Sequence, residues 1–355
     1  MTQQFTGVQI LRFIAAMLVV VMHTTQAISI HITGQGPGHY WHAGSAGVDI
    51  FFVISGFVMA MSTRNTPSDS AGRLAAAWVF MKRRLLRIAP LYWFYTLLKA
   101  ALLLALPTLA SRSSVEPGHL AASLLFIPAT SPWGFIQPTL PVGWTLNFEM
   151  LFYAVFALAM ALGAPRIRFC LLVFLAIFLA GSYLPGAVPL AFYANSIVFE
   201  FILGVCIAHL LLHGRTVAPA LGPVAMVAGA VLMFGVGGQD PTDRLLTWGG
   251  GAALVVLGAV WLEPWTARSR MASPLSFLGD ASYSIYLSHT FVVPAGVLAL
   301  KWLGVQDGLV IVLAVGLLVA LTGCLSYRWL ERPMTDFLKR VLFSPSRLSY
   351  QYPGK

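Results

Sequence analysis

A run of roughly 18 or more apolar residues is long enough to cross a bilayer core as a helix. This chain carries ten, at about 8–28, 46–62, 88–107, 143–162, 168–184, 191–212, 220–236, 245–263, 280–300 and 307–328. The second is short and begins with Gly47, so its edges are the least defined. The stretches between the runs leave no room for a soluble domain; the longest, about 108–142, is rich in Pro and Ser. Hydrophobic residues make up 58% and charged residues 10%, against about 25% charged in an ordinary soluble domain. A soluble globular enzyme is excluded, and so is a disordered chain, which needs low hydrophobicity and high charge. The predicted fold is all-α: a polytopic membrane protein with about ten transmembrane helices, an integral-membrane domain over 1–340 and a short tail over 341–355. The first run does not read as a signal peptide, because Arg12 sits inside it and no small-residue cleavage site follows. It is expected to stay as the first helix.

The net charge of +10 raises nucleic acid as a partner. The cations, however, cluster in short connections between apolar runs, which is a membrane pattern. With the N-terminus in the cytoplasm, 18 of the 22 Lys and Arg residues fall on the inner side. Lys99, Arg112, Arg244 and Lys301 are the four that do not. The bias predicts both termini in the cytoplasm and no nucleic-acid partner. Cys170, Cys206 and Cys324 all lie in apolar runs, where cysteine behaves as a small hydrophobe.

Ionisable side chains at membrane depth are costly and are candidates for function. Arg12 and His23 are eleven residues apart, close to three helical turns, so they share one helix face about 16 Å apart. Arg12 is expected near the cytoplasmic surface and His23 in the outer half. Asp49, near the outer start of the second run, and Glu149, about two turns into the fourth, fall with His23 within roughly 10 Å of the outer face. A histidine with a carboxylate neighbour is the arrangement a general base needs. The plainer readings are a snorkelling anchor for Arg12, a packing hydrogen bond for His23 and Glu149, and a helix-start charge for Asp49.

Lys82-Arg83-Arg84-Leu85-Leu86-Arg87 precedes the third run. Arg84 and Arg87 are three apart, so on a helix they point the same way. Paired guanidiniums grip phosphate in a forked geometry, although topology and anionic lipids also favour such a run. Tyr286 and His289 share a face near the ninth run and, with Asn147, are candidates to line a cavity. Glu200 and Glu263 read as boundary or packing residues on the cytoplasmic side. His31, His39 and His42 fit no closed zinc motif, and no metal site is predicted. There is no Walker-type phosphate loop and no nucleophile elbow.

Several of these segments together resemble the membrane acyltransferase-3 family. They are Leu11-Arg12-Phe13 with His23 downstream, the stretch Gly47-Val48-Asp49-Ile50-Phe51-Phe52-Val53-Ile54-Ser55-Gly56-Phe57, Arg84-Leu85-Leu86-Arg87-Ile88-Ala89-Pro90, Gly143-Trp144-Thr145-Leu146-Asn147-Phe148-Glu149, Tyr283-Ser284-Ile285-Tyr286-Leu287-Ser288-His289, and Glu331-Arg332-Pro333. Each is weak alone; their order across ten runs, from Ile10 to about Pro333, is specific. Within the family the chain is most similar to the exopolysaccharide-production acetyltransferases.

The resemblance implies a multi-pass protein of the bacterial inner membrane that transfers an acyl group, usually acetyl, from cytoplasmic acyl-CoA to a carbohydrate hydroxyl. Acyl-CoA would be a co-substrate, with no permanently bound cofactor. The acceptor would be an exopolysaccharide, another surface carbohydrate or a lipid-linked glycan, with membrane lipid and polysaccharide-assembly proteins as further partners. Residue by residue, His23 matches the family's essential histidine, Arg12 its paired arginine, and Arg84 and Arg87 its Arg-x-x-Arg element. On this reading His23 is the general base, Asp49 or Glu149 assists it, and Arg12, Arg84 and Arg87 bind the donor. A transporter or flippase of a lipid-linked sugar is the rival from another class, and a lipid or small antibiotic is an alternative acceptor.

Overall fold

The computed structural model describes residues 5–106, 115–184, 186–214, 218–236 and 243–343. Of the expected tail over 341–355, positions 344–355 lie outside these residues, as does Arg112, while α14 continues into its start, to Leu342. Among the described residues, fourteen helices follow in order: α1 (Thr6–Ile28), α2 (Ala46–Ser62), α3 (Ser70–Ala105), α4 (Pro117–Leu124), α5 (Trp144–Leu162), α6 (Arg166–Tyr183), α7 (Val188–Tyr193), α8 (Glu200–Leu212), α9 (Gly222–Val231), α10 (Gly250–Trp261), α11 (Glu263–Thr266), α12 (Ala272–Trp302), α13 (Gly308–Ser326) and α14 (Arg332–Leu342). The one β-pairing among the described residues is an isolated bridge between Thr130 and Ile136. With their flanking turns, eight helical segments are long and apolar enough to cross a membrane. Two more, Ser196–Leu212 and Leu245–Trp261, are apolar but shorter. All ten expected runs thus fall on helices, and the architecture is that of a polytopic membrane protein.

Helix boundaries depart from the apolar runs where a cap or a breaker overrides hydropathy. α3 begins at Ser70, 18 residues before the apolar run starts at about 88. Asp69 caps it, its carboxylate accepting from the Gly72 N–H at 2.7 Å, and Pro90 does not end it. At 36 residues α3 is about 54 Å long, far beyond a hydrocarbon core of about 30 Å. Its basic half therefore extends past the core as continuous helix. Lys82 through Arg87 do not precede this helix; they lie in its middle. The sixth run, expected from 191, is instead split by Asn195. The Asn195 side chain accepts from the Ile197 N–H at 3.0 Å, which separates α7 from the helix that follows.

α1 is the central post. α2, α12 and α13 pack along it, and the end of α10 meets its start. A Cβ at Gly47 would overlap the Ala15 carbonyl, and one at Gly279 would overlap the Gln9 carbonyl. Only glycine allows α2 and α12 to approach the α1 backbone this closely. An aromatic stack fills the space between α2, α5 and α8, with the Phe201 ring centroid 4.5 Å from those of both Phe52 and Phe152. The outward faces of α6, α9 and α13 carry exposed Leu172, Val227 and Leu313, as lipid contact requires.

Polar contacts tie the helix ends into two sets. At one end, Glu263 caps α1, accepting from the Thr6 and Gly7 N–H groups at 2.8 and 3.0 Å. Glu263 is a boundary residue in this literal sense. At the same end Arg166, at the start of α6, donates to the Thr63 carbonyl beyond α2 at 3.0 Å, and Arg84 donates to Ser62 at 3.0 Å. At the opposite end, Lys301 near the end of α12 donates to the His31 carbonyl beyond α1. Arg12, Arg84, Arg87 and Arg166 thus share one end of the bundle, the basic end.

Candidate functional site

A cavity of about 140 Å³ runs between α1, α2, α3, α5 and α12, from the arginines of the basic end to Val48 and Thr145 in the first turns of α2 and α5. Three guanidiniums line it: Arg12 from the second turn of α1, and Arg84 and Arg87 from α3. The three-residue spacing does place the last two on one face. Arg12 Nη1 donates to Gln9 Oε1, one turn earlier, at 3.1 Å. Arg84 packs its guanidinium over the Phe80 ring at 5.5 Å. Arg87 Nη1 lies 3.1 Å from Glu331 Oε1, out of line for a hydrogen bond, since that oxygen has no hydrogen-bond partner among the described residues. Glu331 is held by its other oxygen, which accepts from Ser284 at 2.7 Å. A π-helical turn over Tyr327–Glu331, between α13 and α14, delivers Glu331 to this position; such turns recur at functional sites.

Glu149, from α5, is the carboxylate on the cavity wall. It accepts from Ser55 at 3.1 Å and from the Tyr153 hydroxyl. Three carboxylates bear on the three guanidiniums: Glu149 on the wall, Glu331 behind it, and Asp280 of α12, close enough to act on Arg12 and Arg87. Arg84 Nε is in addition buried without a hydrogen-bond partner among the described residues. A partly enclosed guanidinium cluster with an unused donor is complementary to an anion.

The second cluster lies further along α1 and α12. The His23 ring stacks on the His289 ring, with centroids 5.1 Å apart and planes 30° apart. His23 Nδ1 is 3.4 Å from Gln26 Oε1. His289 is fully buried, and its Nδ1 bonds the Tyr286 carbonyl one turn back. Tyr286 separates the two clusters. One side of it lines the cavity, its ring centroid is 5.7 Å from that of His289, and its hydroxyl donates to the Val142 carbonyl at 3.0 Å. Thr145 lies 3.0 Å from the same hydroxyl.

Several expected placements differ. Among the described residues, neither Asp49 nor Glu149 hydrogen-bonds His23; Gln26, on its own helix, stands in the orienting position. Asp49 sits in the first turn of α2, completely buried, and takes a bidentate pair of bonds from Arg244 at 3.0 and 2.8 Å. Arg244 also lies over the Trp248 ring at 4.8 Å. Glu200 belongs to the same group: it opens α8, its side chain approaches Gly249, and it is buried. It is therefore at the end opposite the basic end, not on the side expected for it. Glu149 is drawn to the arginines rather than to the histidines.

Of the three candidate cavity-lining residues, Tyr286 lines the cavity, while Asn147 and His289 do not. Asn147 is buried, and its carbonyl accepts from the Tyr193 hydroxyl at 3.4 Å. Sequence reasoning assigned no role to Glu331, Ser55 or Tyr153. The first two lie inside the motifs quoted above, which was the available signal.

The acyltransferase domain family matches residues 5–339. The exopolysaccharide production protein ExoZ of Rhizobium meliloti strain 1021 is 39% identical over 309 residues, covering 84% of this chain and 91% of that protein. The acyltransferase MdmB of Streptomyces mycarofaciens is 27% identical over 322 residues, 81% of this chain and 78% of its own. BcsY of Komagataeibacter xylinus, which carries the name of a membrane-bound transacylase, is 29% identical over 317 residues, 84% of this chain and 78% of its own. No solved structure matches the chain. The motifs from Arg12 to Glu331 all fall within the matched region, and the chain belongs to the acyltransferase-3 family.

Proposed function

We propose that this protein is an integral-membrane O-acyltransferase that moves an acyl group, acetyl by preference, from cytoplasmic acyl-CoA to a hydroxyl of an exopolysaccharide or other surface carbohydrate. The observation that carries this reading is the pairing of a guanidinium-rich cavity at one end of α1 with His23, stacked on His289 of α12, further along the same helix. A CoA thioester is anionic at its nucleotide end and has a long, thin pantetheine arm. Arg12, Arg84 and Arg87 would hold its phosphates. The arm, on the order of half a bilayer core in length, would run past Tyr286 towards His23. The names of ExoZ and BcsY, an exopolysaccharide production protein and a transacylase, support a carbohydrate acceptor and acyl chemistry.

In the proposed reaction the acceptor hydroxyl attacks the thioester carbonyl. His23 Nε2 takes the hydroxyl proton, the C–O bond forms, the C–S bond breaks, and the proton passes to the leaving CoA thiolate. Gln26 Oε1, by accepting from Nδ1–H, would keep the Nε2 lone pair available. No acyl-enzyme is required. Glu149 would brace the donor cavity rather than act on His23.

For this chemistry the basic end must face the cytoplasm of a bacterial inner membrane, with ten spans and both termini inside. Cysteines replacing His39 and Gln306 should label from outside intact cells, and cysteines replacing Asn65 and Ser269 only after permeabilisation. The reverse pattern would put the arginines on the wrong side of the membrane. The reaction itself is tested by free thiol: membranes containing the protein should release CoA from acetyl-CoA only when acceptor is added. Movement of a lipid-linked sugar without thiol release would replace the enzyme by a flippase.

A further inference from the structure

His289 has no part in the reaction as written above, yet its burial is hard to explain by packing alone. Its Nδ1 faces the Tyr286 carbonyl. A carbonyl can only accept, so Nδ1 carries the proton of the neutral ring and Nε2 is left as a lone-pair acceptor. That Nε2 is buried and has no partner among the described residues. An unmet buried acceptor costs about 1–3 kcal/mol, and a phenylalanine at 289 would avoid the cost. His23 repeats the pattern: its Nδ1 faces the side-chain oxygen of Gln26, which likewise directs the Nε2 lone pair away from its own helix. The two rings are stacked, 5.1 Å apart, so neither nitrogen of one points at the other, and a proton relay between them is excluded. What remains is two imidazoles side by side, each with its proton held on Nδ1 and an unused acceptor at Nε2.

We propose that His289 contacts the acceptor substrate: its Nε2 accepts a hydrogen bond from a second hydroxyl, next to the one that His23 deprotonates. The matching substrate class is a sugar with neighbouring hydroxyls on one ring, rather than an isolated alcohol. This rests on the O-acyltransferase reading above and deepens it. The acceptor enters by parting the imidazole stack, which closes the site when empty, and the hydrogen bond to His289 compensates for the separation of the two rings. His23 does the chemistry, and His289 fixes which hydroxyl reaches it.

The test uses membranes with the full chain, acetyl-CoA, and the cells' own exopolysaccharide stripped of acyl esters by mild alkali. His289→Phe keeps the ring and its volume but has no acceptor. His289→Gln restores an acceptor oxygen near the Nε2 position but cannot take up a proton. The Phe variant should raise the acceptor KM roughly 3- to 12-fold, the range for one neutral hydrogen bond, and leave the acetyl-CoA KM unchanged. The Gln variant should return the acceptor KM to within about 2-fold of wild type, as expected when hydrogen-bond acceptance is the whole role. An unchanged acceptor KM in the Phe variant would reduce His289 to packing. A Gln variant as inactive as His23→Ala would make His289 a base and overturn the assignment. The unchanged acetyl-CoA KM certifies that each variant is folded. Absence of thiol release by the wild type would overturn the underlying reaction, whereas wild-type turnover with no shift in either variant would defeat this inference alone.

Discussion

The bundle buries arginine against carboxylate at both ends, and the two ends do it differently. Away from the basic end, Asp49 and Arg244 form a closed bidentate pair over Trp248. At the basic end, Arg87 meets Glu331 through a misaligned contact, Arg84 keeps an unused buried donor, and Arg12, Arg84 and Arg87 surround an open cavity. A closed pair satisfies itself and fastens α2 to the segment that leads into α10. An open cluster leaves a cationic donor unused, and an unused cationic donor beside a cavity favours an anionic ligand. Neither burial nor incomplete pairing alone identifies a site here, since Glu200, buried beside the closed pair, has no hydrogen-bond partner for either carboxylate oxygen among the described residues; an unused donor on a cavity wall does.

Breaking the closed pair should have the largest effect. Asp49→Ala removes the bidentate partner of a half-buried Arg244 and leaves it only the neighbouring Glu200, and breaking a buried pair costs up to about 3–5 kcal/mol. We expect loss of most correctly folded protein, seen as aggregation on detergent size-exclusion chromatography. Asp49→Leu combined with Arg244→Met removes both charges and should recover much of the fold. Wild-type yield and stability for Asp49→Ala alone would show that the pair fastens nothing.

At the basic end the prediction reverses: the fold survives and the donor is lost. Each charge-assisted contact is worth about 1.5–3 kcal/mol, or about 10- to 150-fold in affinity. Arg84→Ala with Arg87→Ala should raise the acyl-CoA KM at least that far, measured per correctly folded molecule. An unchanged KM would make the open cluster a mere anchor. The smallest effect should come from Glu331→Gln. The amide keeps the contact with Ser284 and loses the ion pair, so Arg87 stays present but less well placed. A rise in donor KM of about 1.5- to 5-fold is expected, the size of a modest surface-like pair. An effect as large as that of the double arginine variant would mean that Glu331 itself contacts a substrate.

The same contrast explains what the sequence discloses. Periodicity along one helix placed Arg84 beside Arg87, and placed Arg12 and His23 on a common face, because the 3.6-residue turn fixes both. Position along the helix was legible for Asp49, which lies at the start of α2, but not for Glu149, which was expected level with His23 and instead joins the arginines. Partners were not legible. Asp49 finds Arg244, 195 residues away, and Arg87 finds Glu331 in a π-helical turn. Such pairs depend on which helices become neighbours, and hydropathy carries no information about that. The early start of α3 had a readable signal in Asp69, followed three residues on by Gly72, but capping acts outside the apolar window. His289 was visible only as a polar residue in an apolar helix; its stack on His23 required the packing of α1 against α12.

The proposed reaction stands or falls with His23 as its base. The decisive experiment is acceptor-dependent CoA release by His23→Ala and His23→Gln membranes, each normalised to correctly inserted protein and run at saturating acetyl-CoA. Loss of a general base typically costs about 10²- to 10⁴-fold. Both variants should fall by that amount while the acetyl-CoA KM stays as in the wild type, because the proposed phosphate contacts are at the other end of α1. The glutamine variant should do no better than alanine, since an amide cannot take up the proton. Turnover within a few-fold of wild type in either variant would remove His23 from the chemistry and contradict the proposed reaction.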